Sequence, residues 1–455
     1  MSKKQFLIKS LACLLVLSML SACGGESTDK DKDKDNSSII SSTDNNSSED
    51  NSSSEDNNSS EDTSSSDDGS QTEETDNYDD EPGQPRPWQT YTPLDDSYYD
   101  DSDDTLSDGG SSDDEDEEIV IPYTKEDLLE IMEYLTFDTD NYAIGVHASG
   151  AIDVSNIIRK FERKVGHKPA VFDFDMTNLA FDISDRALQA AVNQLVEFAA
   201  QGGIITITDH SLAPNINISD ASAGGANNSR MPITREEFLD VMVEGTEVNK
   251  NFREEYAYKV KFLKMLEENN VPVIFRPLHE ANGGWFWWGV NYNNNGVTNQ
   301  DVANLYVYIH DYFSVENGLT NILWQYNTGM AGGKDPYGWW PGEEYIDLIS
   351  TDWYATLDEV ESGNSYNYIP FYNGSQELGK RYAYGLAEFG GDGTYNAAAY
   401  DLKKSLNLIE AQIEKGAKCA YVGLYFEFGS DQDCTLTDNV ITLDEMQSYW
   451  DKVLK

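Results

Sequence analysis

Eight apolar, β-rich runs, each ending in an ionisable or amide side chain, fill the chain from Ile119 onward and restrict the folds open to it. They read YAIGVHAS (142–149), AVFDFDM (170–176), GIITITDH (203–210), VPVIFRPLHE (271–280), NILWQYN (321–327), IDLISTDWY (346–354), YAYGLAEFG (382–390) and CAYVGLYFEFG (419–429). Between most of them lie amphipathic helical stretches such as DRALQAAVNQLVEFAAQ (185–201), EEYAYKVKFLKMLEEN (254–269) and YNAAAYDLKKSLNLIEAQIEKG (395–416). Thr234 with Glu237 forms a capping box that opens another helix. The sixth and seventh runs are joined only by a short helical candidate near Ser375 to Arg381. Near-continuous apolar strands are buried on both faces, as in a parallel sheet covered by helices. Eight such units predict an α/β fold, a (β/α)8 TIM barrel, over 119–455. A doubly wound open sheet is the alternative. The polar run ends separate the two: His147, Asp173 and Asp175, Asp209 and His210, His279 and Glu280, Asn327, Asp352, Glu388 and Glu427. A closed barrel brings all eight ends to one mouth, whereas an open sheet gathers such groups at one switch point.

The segment before this domain has a different texture. Lys3, Lys4 and Lys9 precede an apolar core from Leu11 to Leu20, and LSAC closes it at Cys23. About ten apolar residues are too few to cross a bilayer, which needs ~20. The LSACGG ending resembles the lipobox of bacterial lipoproteins, which implies removal of residues 1–22 and lipidation of Cys23. That would hold the protein on the extracellular face of a bacterial cell membrane. An ordinary signal peptide with a chance cysteine is the alternative. Residues 23–118 carry the hexads NNSSED, NSSSED, NNSSED and TSSSDD (45–68), with no apolar position on which to stack a repeat fold. Such a charged, Ser-rich stretch reads as a disordered tether that self-repels and reaches at least about 55 Å. Tyr78 to Leu106 adds Pro, Trp and Tyr without a strand pattern and reads as more of the same linker. The tether holds more than half of the net charge of −51, and the domain after it is acidic too. Nucleic acid is therefore an unsuitable partner. Cys13 leaves with the signal segment. Cys419 and Cys434 fall toward opposite ends of the eighth strand and its loop, too far apart for a disulfide, whose Cα atoms lie within about 7 Å.

Two glutamates stand out among the run ends. Glu280 and Glu388 each close an apolar stretch that gives a carboxylate no local reason to be there. Burial raises a carboxyl pKa, so such a pair can divide into one acid and one anion, the requirement of glycosidic bond cleavage. A structural ion pair with Arg276 is the plainer alternative, and Glu427 has the same positional claim in reserve. WFWW at 285–288 follows Gly283 and Gly284, where a tight loop can lay rings beside the mouth, and aromatic faces suit sugar rings. Trp339, Trp340, Trp353 and Tyr354 add to the supply, although packing alone accounts for many such rings. His147, His210, Asp173 and Asp175 are of the types that ligate zinc, but the spacings of metallohydrolases are missing. Neither a GxSxG nor a Walker loop occurs.

RPLHEANGGWFWWG (276–289) resembles glycoside hydrolase family 26, as do WWPGEEYIDLISTDWY (339–354) and LAEFG (386–390), and the resemblance extends over 125–455. It implies a retaining, endo-acting hydrolase of β-1,4-mannan, galactomannan or glucomannan backbones, with Glu280 as acid/base and Glu388 as nucleophile. It implies further that Arg276 supports the nucleophile, that Asp352 and Tyr354 form the D-x-Y pattern beside it, and that His279 contacts the sugar next to the scissile bond. Trp285 would floor that region and His147 would bind a more distal sugar, while His210, Asn282 and Trp288 complete the expected substrate contacts. Two departures put the substrate in doubt. Asp209-His210 stands where relatives commonly have Trp-His, and Phe426-Glu427-Phe428 where they often have Trp. A β-1,3-1,4-glucanase, a β-1,3-xylanase or a non-catalytic surface glycan-binding lipoprotein are the other readings. The expectation is a monomer acting on a polysaccharide without cofactor or metal, touching a membrane only through lipid on Cys23.

Overall fold

The computed structural model describes residues 119–148, 153–179, 183–217, 225–356, 367–391, 401–425 and 433–454. The signal segment, Cys23, the tether and Glu427 with its neighbours lie outside them. Eight parallel strands, β1 (Tyr142–Ala148), β2 (Val171–Asp175), β3 (Ile204–Thr208), β4 (Val273–Arg276), β5 (Ile322–Gly329), β6 (Leu348–Ala355), β7 (Ala383–Gly391) and β8 (Tyr421–Leu424), pair in chain order. β1 pairs both β2 and β8, so the sheet closes into a (β/α)8 barrel and the open-sheet alternative is excluded. A two-residue β9 (Val440–Ile441) adds to β1 near its start.

The helices alternate with the strands because their apolar stripes need the barrel's outer face. Among them are α1 (Lys125–Phe137), α2 (Val154–Val165), α3 (Asp185–Ala200), α4 (Arg235–Asp240), α5 (Glu247–Glu268), α6 (Asn299–His310), α7 (Ile369–Ser375), α8 (Leu402–Ile413) and α9 (Leu443–Val453). The capping box at Thr234 and Glu237 is present at the start of α4. The helix between β6 and β7 starts earlier than the sequence suggests. Pro370 sits in its first turn, where the missing N–H costs nothing, so α7 ends where a helix was expected to begin. At the N-terminal end of the strands, opposite the mouth, Trp450 of α9 stacks on Tyr123 with ring centroids 4.3 Å apart. Its indole donates to the Gly202 carbonyl at 2.8 Å. This clasp ties the last helix to the segment before α1. Cys419 and Cys434 are free thiols, as their separation predicts.

Two irregularities decide where the mouth groups point. β4 stops at Arg276 because Pro277 has no N–H for the ladder. Leu278 and Glu280 then take left-handed backbone angles, φ 53° and 54°. Glu280 is thus carried on a tight turn past the end of the strand that holds Arg276. In β7, pairing with β6 runs Thr351 to Leu386 and then Asp352 to Glu388, so Ala387 is an extra residue. The pairing of β7 with β8 shifts in the same place. Such a bulge re-aims the next side chain, here Glu388. It also explains Gly423: a Cβ there would meet the Ala387 carbonyl oxygen at 2.3 Å. Gly423→Ala should cost about 1–3 kcal/mol through overpacking, read as a lower urea midpoint at unchanged slope. It should lower activity as well, because Glu388 adjoins the displaced carbonyl. An unaltered midpoint would show that the bulge accommodates the methyl.

Candidate active site

One guanidinium organises the mouth. Arg276, wholly buried, donates from Nη2 to Glu388 Oε1 at 2.7 Å and to Asp173 Oδ2 at 2.9 Å, and from Nη1 to Asp352 Oδ2 at 3.3 Å. These carboxylates come from β7, β2 and β6, so the contact spans the barrel interior. Burial pushes Asp173 up, but Arg276 and then His147 outweigh it and hold the carboxyl at about 2. Asp352 goes the other way: burial and the Glu388 charge hold it well above the usual carboxylate range. Its contact with Arg276 is correspondingly the longest of the three.

The two glutamates occupy different settings. Glu388 accepts from Arg276 through one oxygen and from the Tyr354 hydroxyl through the other. Glu280 accepts from the Trp285 indole at 2.7 Å. Burial first, and the charge of Glu388 second, push it up to about 8. The space for it depends on Gly329 at the end of β5, where a Cβ would lie 2.8 Å from Glu280 Oε1. Its left-handed backbone, strained by roughly 1–2 kcal/mol, is held by three bonds. Its N–H donates to Asn327 Oδ1 at 3.0 Å, its carbonyl accepts from Gly283 N–H at 2.7 Å, and the third is that to Trp285.

Two histidines flank this pair through their own carboxylates. His147 Nδ1 lies 2.6 Å from Asp173 and His210 Nδ1 lies 2.9 Å from Asp175. Burial pulls His210 down, yet the Asp175 carboxylate outweighs it and leaves the imidazole above its ordinary pKa. His279 packs edge-on against His210 at 4.5 Å and is driven well below its ordinary value by burial, then by His210 and Arg276. His279 is therefore the neutral partner. Its Nδ1 and the Nε2 of His147 are buried without a hydrogen-bond partner among the described residues. Asp173 is committed to Arg276 and His147, and Asp175 to His210.

The structure redistributes several expected contacts. Of the four aromatics after Gly284, only Trp285 is half-buried. Trp288 presents no face to a ligand: it is wholly buried, stacks on Phe286 at 4.4 Å and donates to the His279 carbonyl at 2.9 Å. Trp287 fastens the loop to the Ser211 carbonyl. Asn282 is likewise structural, bonding both the N–H and the C=O of Gly329 at 2.9 and 2.8 Å. Arg276 is wholly buried, with its terminal nitrogens bonded to carboxylates. Asp209 leaves the mouth altogether, pairing with the buried Lys259 of α5 at 2.7 Å, which also holds Glu255 at 2.6 Å. A lysine and a glutamate four apart on a helix face otherwise made of Tyr256, Val260 and Leu263 are the sequence signal for that cluster.

Three mouth residues went without an assigned role in the sequence. In the sequence Asp173 reads as a strand end and a candidate metal ligand, and Asn327 as a strand end alone. Tyr425, just past β8, lies 4.3 Å from the His147 ring and 5.9 Å from Tyr354, between two site residues. No local pattern marks it.

Comparison with known proteins agrees with this geometry. The profile of Glycosyl hydrolase family 26 matches residues 120–385. A mannan endo-1,4-beta-mannosidase of Bacillus subtilis is 26% identical over 295 residues, covering 63% of this chain and 76% of that protein. The chain is 27% identical over 195 residues to mannan endo-1,4-beta-mannosidase A and B of Caldalkalibacillus mannanilyticus, covering 42% of this chain but only 36% of that protein. Among solved structures, a Bacillus subtilis mannanase aligns with a TM-score of 0.56 at 21% identity, over 70% of this chain and 92% of that one. At that identity the likeness speaks for the barrel alone.

Removing Arg276 leaves buried carboxylates without their cation. Arg276→Met should cost about 3–5 kcal/mol at neutral pH, measured by urea unfolding. Asp173 has a folded pKa of about 2, below its ordinary 3.8. The stability it contributes is present above pH 4 and lost as pH falls toward 2. The deficit of the variant should therefore narrow between pH 4 and 2. A constant gap would mean that Arg276 is not what holds Asp173 low.

Proposed function

The chain belongs to glycosyl hydrolase family 26, and on that premise we propose that it is a retaining endo-β-1,4-mannanase with Glu388 as nucleophile and Glu280 as acid/base. The observation that carries this reading is the asymmetry of the two glutamates. Glu388 receives a guanidinium and a phenol, as a carboxylate should before it attacks. Glu280 is buried beside that charge and keeps its proton to about pH 8, as a general acid should.

In the first step Glu388 attacks the anomeric carbon and the glycosidic C–O bond breaks. The departing oxygen takes the proton of Glu280. A covalent glycosyl ester on Glu388 and an ionised Glu280 result. Ester formation removes the negative charge that raised Glu280, so its proton affinity falls just as it becomes the base. Water then gives a proton to Glu280 and attacks the anomeric carbon, releasing Glu388 and restoring both groups. His279, kept neutral, and His147, with Nε2 unpartnered, are suited to receive or donate hydrogen bonds to sugar hydroxyls. Trp285 supplies the half-buried ring face beside them.

Mannan is preferred because the relatives reported above carry that activity in their names. That Asp209 is buried in a pair with Lys259 supports leaving it out of the contacts that choose a sugar. Reducing-sugar release from mannan, lichenan and β-1,3-xylan tests the choice: mannan should be cleaved best, and cleavage of none favours a glycan binder. Glu388→Ala should abolish turnover and leave glycan binding intact, and near-normal activity in that variant would remove the assignment. In the wild type, kcat/KM should fall as pH rises through about 8, where Glu280 loses its proton in the free enzyme. A profile flat to pH 10 would separate that limb from Glu280.

A further inference from the structure

We propose that Asn327 is a positioning residue that sets the place of the proton donor, an inference that rests on reading Glu280 as the acid/base. Asn327 is fully buried in β5. Its side-chain oxygen accepts the Glu280 N–H at 3.0 Å, and its nitrogen donates to Ser350 Oγ and Asp352 Oδ1, both at 2.8 Å. The chemistry fixes which way the amide faces. Only its carbonyl end can accept an N–H, and only its NH2 end can donate to a carboxylate.

Three groups hold Glu280 in its left-handed turn: Asn327, Gly283 and Trp285. Gly283 and Trp285 belong to the same loop as Glu280 and would travel with it. Of these three, Asn327 comes from another strand, so among the described residues it is the group that ties the backbone of Glu280 itself to the barrel wall, while Asn282 ties the loop two residues on to Gly329 of the same strand. That wall leads directly to the nucleophile, because Asn327 is in register with Ser350 of β6, and Asp352 of β6 with Glu388 of β7. One amide therefore relates the main chain of the acid to the strand beside the nucleophile. A buried N–H with no other partner would lose its acceptor if Asn327 were removed. The turn would then be free to relax out of its strained conformation, taking Glu280 off line while Arg276 still holds Glu388.

The test separates loss of the proton donor from general damage. Turnover is compared on mannopentaose, whose leaving group needs protonation, and on 2,4-dinitrophenyl β-mannobioside, whose leaving group departs without it. For Asn327→Ala, kcat/KM on mannopentaose should fall ~100-fold or more, toward the range general acid catalysis supplies. The loss on the dinitrophenyl substrate should be under about tenfold, on the same scale. Azide should accelerate dinitrophenyl turnover by attacking the glycosyl ester and releasing the glycosyl azide, a step that needs no proton transfer. Near-isosteric Asn327→Leu carries the same comparison if the alanine variant does not fold. Asn327→Asp keeps the acceptor for Glu280 N–H and should keep a wild-type ratio between the two substrates, even if both rates fall. Equal losses on both substrates without azide acceleration, or the same split in the aspartate variant, would overturn the proposal. Glu280→Ala is the reference: if it shows no split between the substrates, the assignment of Glu280 is at fault and not that of Asn327.

Discussion

A buried guanidinium surrounded by three carboxylates is the interaction on which the rest of this barrel depends. Arg276 touches Asp173, Asp352 and Glu388, and each belongs to a different strand. Burying that many anions is tolerable only because the cation is shared and further donors complete the lone pairs: Thr206 and His147 on Asp173, Asn327 on Asp352, Tyr354 on Glu388. A single fixed charge thus holds one carboxyl near 2 while another, at a longer contact, stays above its ordinary range. That unequal sharing is built into the fold before any substrate arrives.

Regular barrel geometry alone would not deliver the two glutamates. Each is aimed by a local departure from it: Glu280 by the left-handed turn that follows Pro277, Glu388 by the extra residue at Ala387. Both departures have small-residue counterparts on the neighbouring strand, Gly329 for the first and Gly423 for the second. The strained backbone at Glu280 is enforced from several sides, as expected of a functional site.

What could be read from the amino-acid order follows from which signals are local. Eight apolar runs and their polar ends are local, so the barrel, its mouth and the pair Glu280 and Glu388 were legible. Capping at Thr234 was legible for the same reason. Pairing register is not local, and the bulge at Ala387 stayed hidden, although Gly423 inside an otherwise apolar run was a trace of it. Asp209 could not be placed without knowing that Lys259, 50 residues on, is buried beneath it. Trp288 and Asn282 have the composition of ligand contacts, and only burial distinguishes them from Trp285. Chemistry of residue types told what the site could do; three-dimensional packing told which copies do it.

The indole of Trp285 has two occupations. Its half-buried ring is the one proposed to face the sugar, and its nitrogen is bonded to the oxygen of Glu280. On that proposal, sugar preference and proton affinity are written into one side chain and cannot be tuned apart there. A descendant of this enzyme that exchanged Trp285 to accept a different sugar would alter its acid in the same stroke.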